Sequence, residues 1–196
     1  MATALTGLKH ATAYGSGPTK IGGAQWDADH VVDDAAALRA AIGMPGRVVV
    51  DSAYAEYVGI AGFTGTIPAD DTIPQITEGD EIVSLSFTPK SATNRLRVRF
   101  VTQFTINTVT SIIGALFVGS GANAVRTSIT TLTGANYWDV LELVYEGVAG
   151  TTAPITIQAR MGIIGAGTYS INASIGVSRL FGGTSAATLI VEELTP

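Results

Sequence analysis

From residue 79 onward, apolar and polar positions alternate in short runs, with turns between them. Leu96, Val98 and Phe100 alternate with Arg95, Arg97 and Arg99, and Val83, Leu85 and Phe87 alternate with Ile82, Ser84 and Ser86. Period two is the signature of a strand with one face on a core and one face away from it. Further strands are predicted over 112–118, 126–132, 140–146, 155–161, 169–175 and 187–194. Between them stand Gly119-Ser120-Gly121, Gly134-Ala135-Asn136, 147–152, Gly165-Ala166-Gly167 and Gly182-Gly183. Glycine suits such hairpin turns because it accepts positive φ. About eight short strands at this spacing predict a mainly β protein, an antiparallel jelly-roll-like sandwich.

The pattern changes upstream. Residues 47–78 contain Val48-Val49-Val50, a short strand at most, and then Gly62, Gly65, Pro68 and Pro74, which break any long element. This stretch reads as a connector. Residues 1–46 are rich in turn residues and carry the one helix signal of the chain. Asp33 or Asp34 can cap Ala35–Ile42, and Gly43 and Pro45 stop it. The expected plan is therefore a short N-terminal segment with one small helix (1–46), a connector (47–78) and a β-sandwich head (79–196).

Composition adds a constraint. Of the 196 residues, 46% are hydrophobic and only 14% charged, with mean hydropathy +0.36. A soluble domain carries about 25% charged residues. The shortfall predicts that apolar surface is shared between copies of the chain. Net charge is −5, so a nucleic-acid partner is not expected. There is no cysteine, which excludes disulfides and thiolate metal sites. The N-terminus lacks a basic start followed by an apolar run, so a signal peptide is not expected. The uncharged stretch between Arg99 and Arg126 is interrupted throughout by Thr, Ser, Asn, Gln and Gly. It reads as strands and turns, and no membrane insertion is expected.

Candidate chemistry is sparse. His30, near Asp27, Asp29, Asp33 and Asp34, has the donor types of a metal site. The same acids also favour a helix N-terminus, which is the preferred reading, so neither metal nor cofactor is expected. No Ser lies in a Gly-x-Ser-x-Gly elbow. Glu142 and Glu146 share a strand face, but their spacing does not suit a pair of carboxylates facing each other across a cleft. No catalytic residue is assigned. Arg95, Arg97 and Arg99 form a basic stripe, and like charges along one strand favour an acidic neighbour. The strand with Glu142 and Glu146 is expected beside it, within the subunit or across a subunit boundary, as a structural or receptor-binding stripe. Tyr54, Tyr57, Phe63 and the pair Tyr137-Trp138 could serve as sugar platforms or as packing anchors. Gly162 to Gly167 has the spacing of a nucleotide loop, but a strand follows it, so it reads as a hairpin.

Five segments carry a family resemblance. They are Phe87-Thr88-Pro89-Lys90-Ser91-Ala92-Thr93-Asn94-Arg95-Leu96, Ala115-Leu116-Phe117, Gly150-Thr151-Thr152, Arg179-Leu180-Phe181-Gly182-Gly183 and the strand after it. In order and spacing they resemble a C-terminal domain of tailed-bacteriophage structural proteins. Residues 21–30, with Ile21, Trp26, Asp27 and His30, resemble a short N-terminal segment of phage fibre and tail proteins. The resemblance implies a non-enzymatic virion protein at the particle surface, on tail or capsid. It implies a homotrimer docked to other virion proteins through the N-terminal segment. Its jelly-roll-like head would project to a host-surface glycan or protein, as a tail fibre or spike. A capsid-surface decoration or head fibre is the alternative, and a glycan-degrading tailspike a third.

Overall fold

The computed structural model describes residues 8–10, 30–32 and 46–196 apart from 177. By internal contacts the chain divides between Arg47 and Val48. In the first unit, β1 (Leu8–His10) pairs antiparallel with β2 (His30–Val32), with His10 and His30 in register. His30 thus opens a strand where a polar loop was expected. The expected helix over 35–42, and Ile21, Trp26 and Asp27, lie outside the described residues.

The second unit is built from two antiparallel sheets. The first contains β3 (Val49–Tyr57), β4 (Ala61–Phe63), β6 (Arg95–Ile106), β9 (Trp138–Val148), β11 (Tyr169–Ile171) and β12 (Ala187–Leu194). The second contains β5 (Asp80–Phe87), β7 (Thr110–Val118), β8 (Arg126–Leu132) and β10 (Ile155–Ile163). Strand β6 is the spine of the first sheet. β9 pairs along residues 95–105, while β12 pairs with 95–101 and β11 with 104–106. β12 and β11 therefore lie end to end on the edge opposite β9, with β3 and β4 beyond them.

With the short β4 and β11 set aside, the sheet orders are β3–β12–β6–β9 and β5–β10–β7–β8. The chain crosses between sheets at each step except the β7–β8 hairpin. That is the eight-strand, double Greek-key arrangement of a jelly roll. The fold is mainly β and sandwich-like, as the alternation predicts. The inner faces supply the core: Leu96, Val98, Phe100 and Phe104 of β6, Leu141 and Leu143 of β9, Leu116 of β7, and Ile157 and Met161 of β10, all at most 1% exposed.

Two expectations need correction. Residues 47–78 are more than a connector, because β3 and β4 are strands of the first sheet. The β3 signal was muted since its inward positions are the small residues Ala53 and Ala55, which pack against the core. The strand expected over 169–175 stops at Ile171. Asn172 takes a left-handed φ of 58°, and its amide donates to the carbonyls of Tyr57 and Gly59 at 2.7 and 3.2 Å. That turns the chain out of the ladder.

Residues 64–79 do a second job. Ile67, with Ile76 beside it, packs on Ile113, Ala115 and Phe117, which point outward from β7. The segment is pinned by Ile67 N–H to Ile163 O, Ile76 N–H to Ala122 O and Gly79 N–H to Thr66 O. Gly162 permits the close approach, since a Cβ there would sit 2.7 Å from the Ile67 backbone nitrogen. The outer face of the second sheet is thus covered along β7 by the chain itself, while Ile129, opposite Ile113 on β8, stays 54% exposed.

Candidate functional site

The outer face of the first sheet is the opposite case. Outward positions on β6 are Arg95, Arg97 and Arg99, and register puts Glu146 opposite Arg97 on β9 and Glu192 opposite Arg97 on β12. The side chains follow the register. Arg95 Nε lies 2.8 Å from Glu146 Oε1, and Arg97 Nη2 lies 3.4 Å from Glu146 Oε2. Arg97 Nη1 reaches Glu192 Oε2 at 3.5 Å, and Arg99 Nε reaches Glu142 Oε1 at 2.6 Å. The five residues of the predicted stripe come together within one subunit, and Glu192 joins them. Most of these groups are substantially exposed, so each pair stabilises by under ~1 kcal/mol. Their main effect is to neutralise the face.

Between the charges, β9 presents apolar side chains outward. Val140 is 54% exposed, Val144 46%, Val148 58% and Trp138 37%. A strand that keeps half of each valine in water leaves part of the hydrophobic driving force unused. Arg126, at the start of β8, closes part of the β9 edge by donating from Nε to the Val144 carbonyl at 3.0 Å.

The proposed aromatic platforms separate. Tyr57 and Phe63 belong to the packing around Tyr169, with ring centroids 6.2 Å apart for Tyr57–Phe63 and 5.3 Å for Phe63–Tyr169. Tyr54 is exposed on β3, with β12 and β6 between it and β9, which carries Trp138 with Tyr137 just before it. Shallow grooves of about 310 and 300 Å³ flank Pro74, between the covering segment and the start of β8. Asp70, on one wall, accepts from the hydroxyl and then the N–H of Thr72, and these bonds hold its carboxyl below the ordinary range. Among the described residues no three His, Cys, Asp or Glu side chains are grouped to hold a metal ion. No helix among them is long and apolar enough to cross a membrane.

Two buried polar groups were not singled out from the sequence. Glu193 is fully buried, and its carboxylate accepts from the N–H groups of Lys90 and Ser91 at 2.9 and 3.1 Å and from Asn94 Nδ2 at 2.6 Å. It fastens the β5–β6 loop to β12. The signal was there: Ala187, Leu189, Val191 and Glu193 share one strand face, so an acid falls on the core side. Tyr169 is the other. Its hydroxyl faces Met161 O at 2.7 Å and Asp80 Oδ2 at 3.0 Å. Burial, and then the Asp80 charge, push its phenol above the ordinary range. Both networks brace the sandwich.

No protein family and no curated protein matches the chain. Among solved structures it is similar to the C-terminal domain of EclA, described as a sugar-binding protein. Identity is 13%, coverage is 65% of this chain and 79% of that one, and the TM-score is 0.31. A likeness at that level bears on neither fold nor function here.

Proposed function

We propose that the protein is a non-enzymatic component of a tailed-bacteriophage particle, a trimeric fibre or spike whose jelly-roll head contributes to attachment at the host surface. One observation carries the reading: segments of the family resemblance, far apart in sequence, meet at one end of the sandwich. Ala149 N–H donates to Asn94 O at 2.8 Å and Gly150 N–H to Ala92 O at 2.9 Å. Glu193, from the strand after Arg179–Gly183, grips the same 90–94 loop. Phe87 is buried where that loop begins. Segments that brace one another in this way hold the end of the sandwich together. That placement supports membership in that group of head domains, and the group's role comes with it as part of this proposal.

In this reading the N-terminal segment docks to the particle through Trp26, since a large aromatic is a common anchor at an interface. The test is quantitative mass spectrometry of purified particles together with a host-cell binding assay. The chain should be present in particles, and the soluble protein should compete with them for cells. Trp26→Ala should lower incorporation while leaving the sandwich folded by circular dichroism. Particles lacking the chain would overturn the reading. Binding to empty capsids without binding to cells would replace it by capsid decoration, and release of sugar fragments from host polysaccharide by a depolymerase.

A further inference from the structure

We propose that the groove beside Tyr54, on the outer face of β3 and β12, binds a sugar ring that carries a free ammonium group. The proposal deepens the attachment part of the reading above and rests on it, naming the site and the ligand chemistry. Strand β3 lies at the edge of the first sheet, and Ser52, Tyr54 and Glu56 point outward from it. Register sets Tyr54 opposite Ile190 and Glu56 opposite Thr188 on β12. These five residues, with Ala53, line a groove of about 370 Å³. That is the low end for a small-molecule site, room for a single ring rather than for a strand or helix. Tyr54 is 71% exposed, more than any other large hydrophobic side chain among the described residues.

Charge selects the ligand. On this wall Glu142 meets Arg99, Glu146 meets Arg95 and Arg97, and Glu192 meets Arg97. Glu56 is the exception. Among the described residues its carboxylate has no ion pair and no hydrogen bond. An exposed carboxylate without a counter-ion repels phosphates and uronic acids and favours a cation. An ammonium held at Glu56 lies one outward step, about 6.6 Å of strand, from the Tyr54 position. The phenol face can then add a cation–π attraction. The rest of the groove suits the ring. Its C–H face can lie on Tyr54 and Ile190, while its hydroxyls exchange hydrogen bonds with those of Ser52 and Thr188. A bare alkylammonium such as choline would use Glu56 and Tyr54 and leave both hydroxyls idle.

The test is a titration of the isotope-labelled full-length protein, followed by amide chemical shifts, with glucosamine, N-acetylglucosamine and choline. Glucosamine should shift the amides of 52–56 and 188–190 and leave those of β8 in place. N-acetylglucosamine has the ring without the charge, and choline the charge without the ring. Each should bind at least about fivefold more weakly than glucosamine. Glu56→Gln should weaken glucosamine about tenfold, the loss of one charge-assisted hydrogen bond. Tyr54→Ala should weaken it about two- to fivefold. Asp71→Asn, at an exposed acid of the covering segment, should bind as the wild type does. Glu56 and Tyr54 are both exposed, so circular dichroism of their variants should be unchanged. Absence of shifts at 52–56 overturns the proposal. So does equal binding of glucosamine and either comparison ligand, or Glu56→Gln at wild-type affinity. The titration uses free sugar and soluble protein, with neither particles nor cells, so its failure is distinguishable from absence of the chain in particles.

Discussion

The two outer faces of the sandwich make an instructive pair. Both belong to four-stranded walls of one jelly roll, and both carry apolar side chains that point away from the common core. On the second sheet, Ile113, Ala115 and Phe117 are nearly dry, because residues 64–79 fold back over them. On the first, Val140, Val144 and Val148 remain half in water among paired charges. The chain lays residues 64–79 over β7 of one wall, leaving Ile129 on β8 54% exposed, and lays none of its described residues in the sandwich unit over the other. The same hydrophobic effect governs both, and the difference lies in what the chain itself lays against each wall.

Substitutions can break or sharpen that contrast. The largest effect belongs to the layer that both walls share. Phe100→Ala empties a fully buried site on β6 and should cost ~3–5 kcal/mol, measured by urea unfolding. Next comes the sealed wall. Ile67→Ala should cost toward the lower part of ~2–5 kcal/mol, since a covering loop can settle into part of the space. Its mark would be faster hydrogen exchange confined to 64–79 and β7. Uniform exchange across both sheets would mean that the cover is no separate layer.

Tyr169→Phe should cost ~1–3 kcal/mol, the usual loss when a buried acceptor loses its donor. It also carries a pH signature. The folded state holds the phenolic proton above the ordinary value, so this stabilisation is complete below pH ~10 and is lost as pH rises past it. The wild type should therefore lose stability in alkali more steeply than Tyr169→Phe. Parallel curves would remove the role given to that hydroxyl. The smallest effect on stability belongs to the open wall. Val144→Glu should change the unfolding free energy by no more than ~0.5 kcal/mol, measured by the same urea unfolding.

The strands that alternate cleanly were legible in the sequence. β8 and β12 were expected over 126–132 and 187–194, where they are found. The Arg stripe was readable because three arginines in period two share a face and call for acidic neighbours. β3 was hidden, since Ala53 and Ala55 face the core without a hydrophobic signal, and the glycines and prolines just downstream argued for a loop. The cover over β7 was hidden for a different reason. Ile67 and Ile76 are isolated apolar residues in an irregular segment, and only the tertiary fold gives them a partner. Periodicity reports which side of a strand is apolar and is silent on what comes to lie against it.

The β3–β12 ladder ends in a clasp: Val48 N–H donates to Thr195 Oγ1 at 3.1 Å, and Thr195 N–H donates back to the Val48 carbonyl at 2.9 Å. Entry to and exit from the sandwich therefore sit side by side. A unit with adjacent ends behaves as a cartridge that can be spliced into a host polypeptide without stretching either junction.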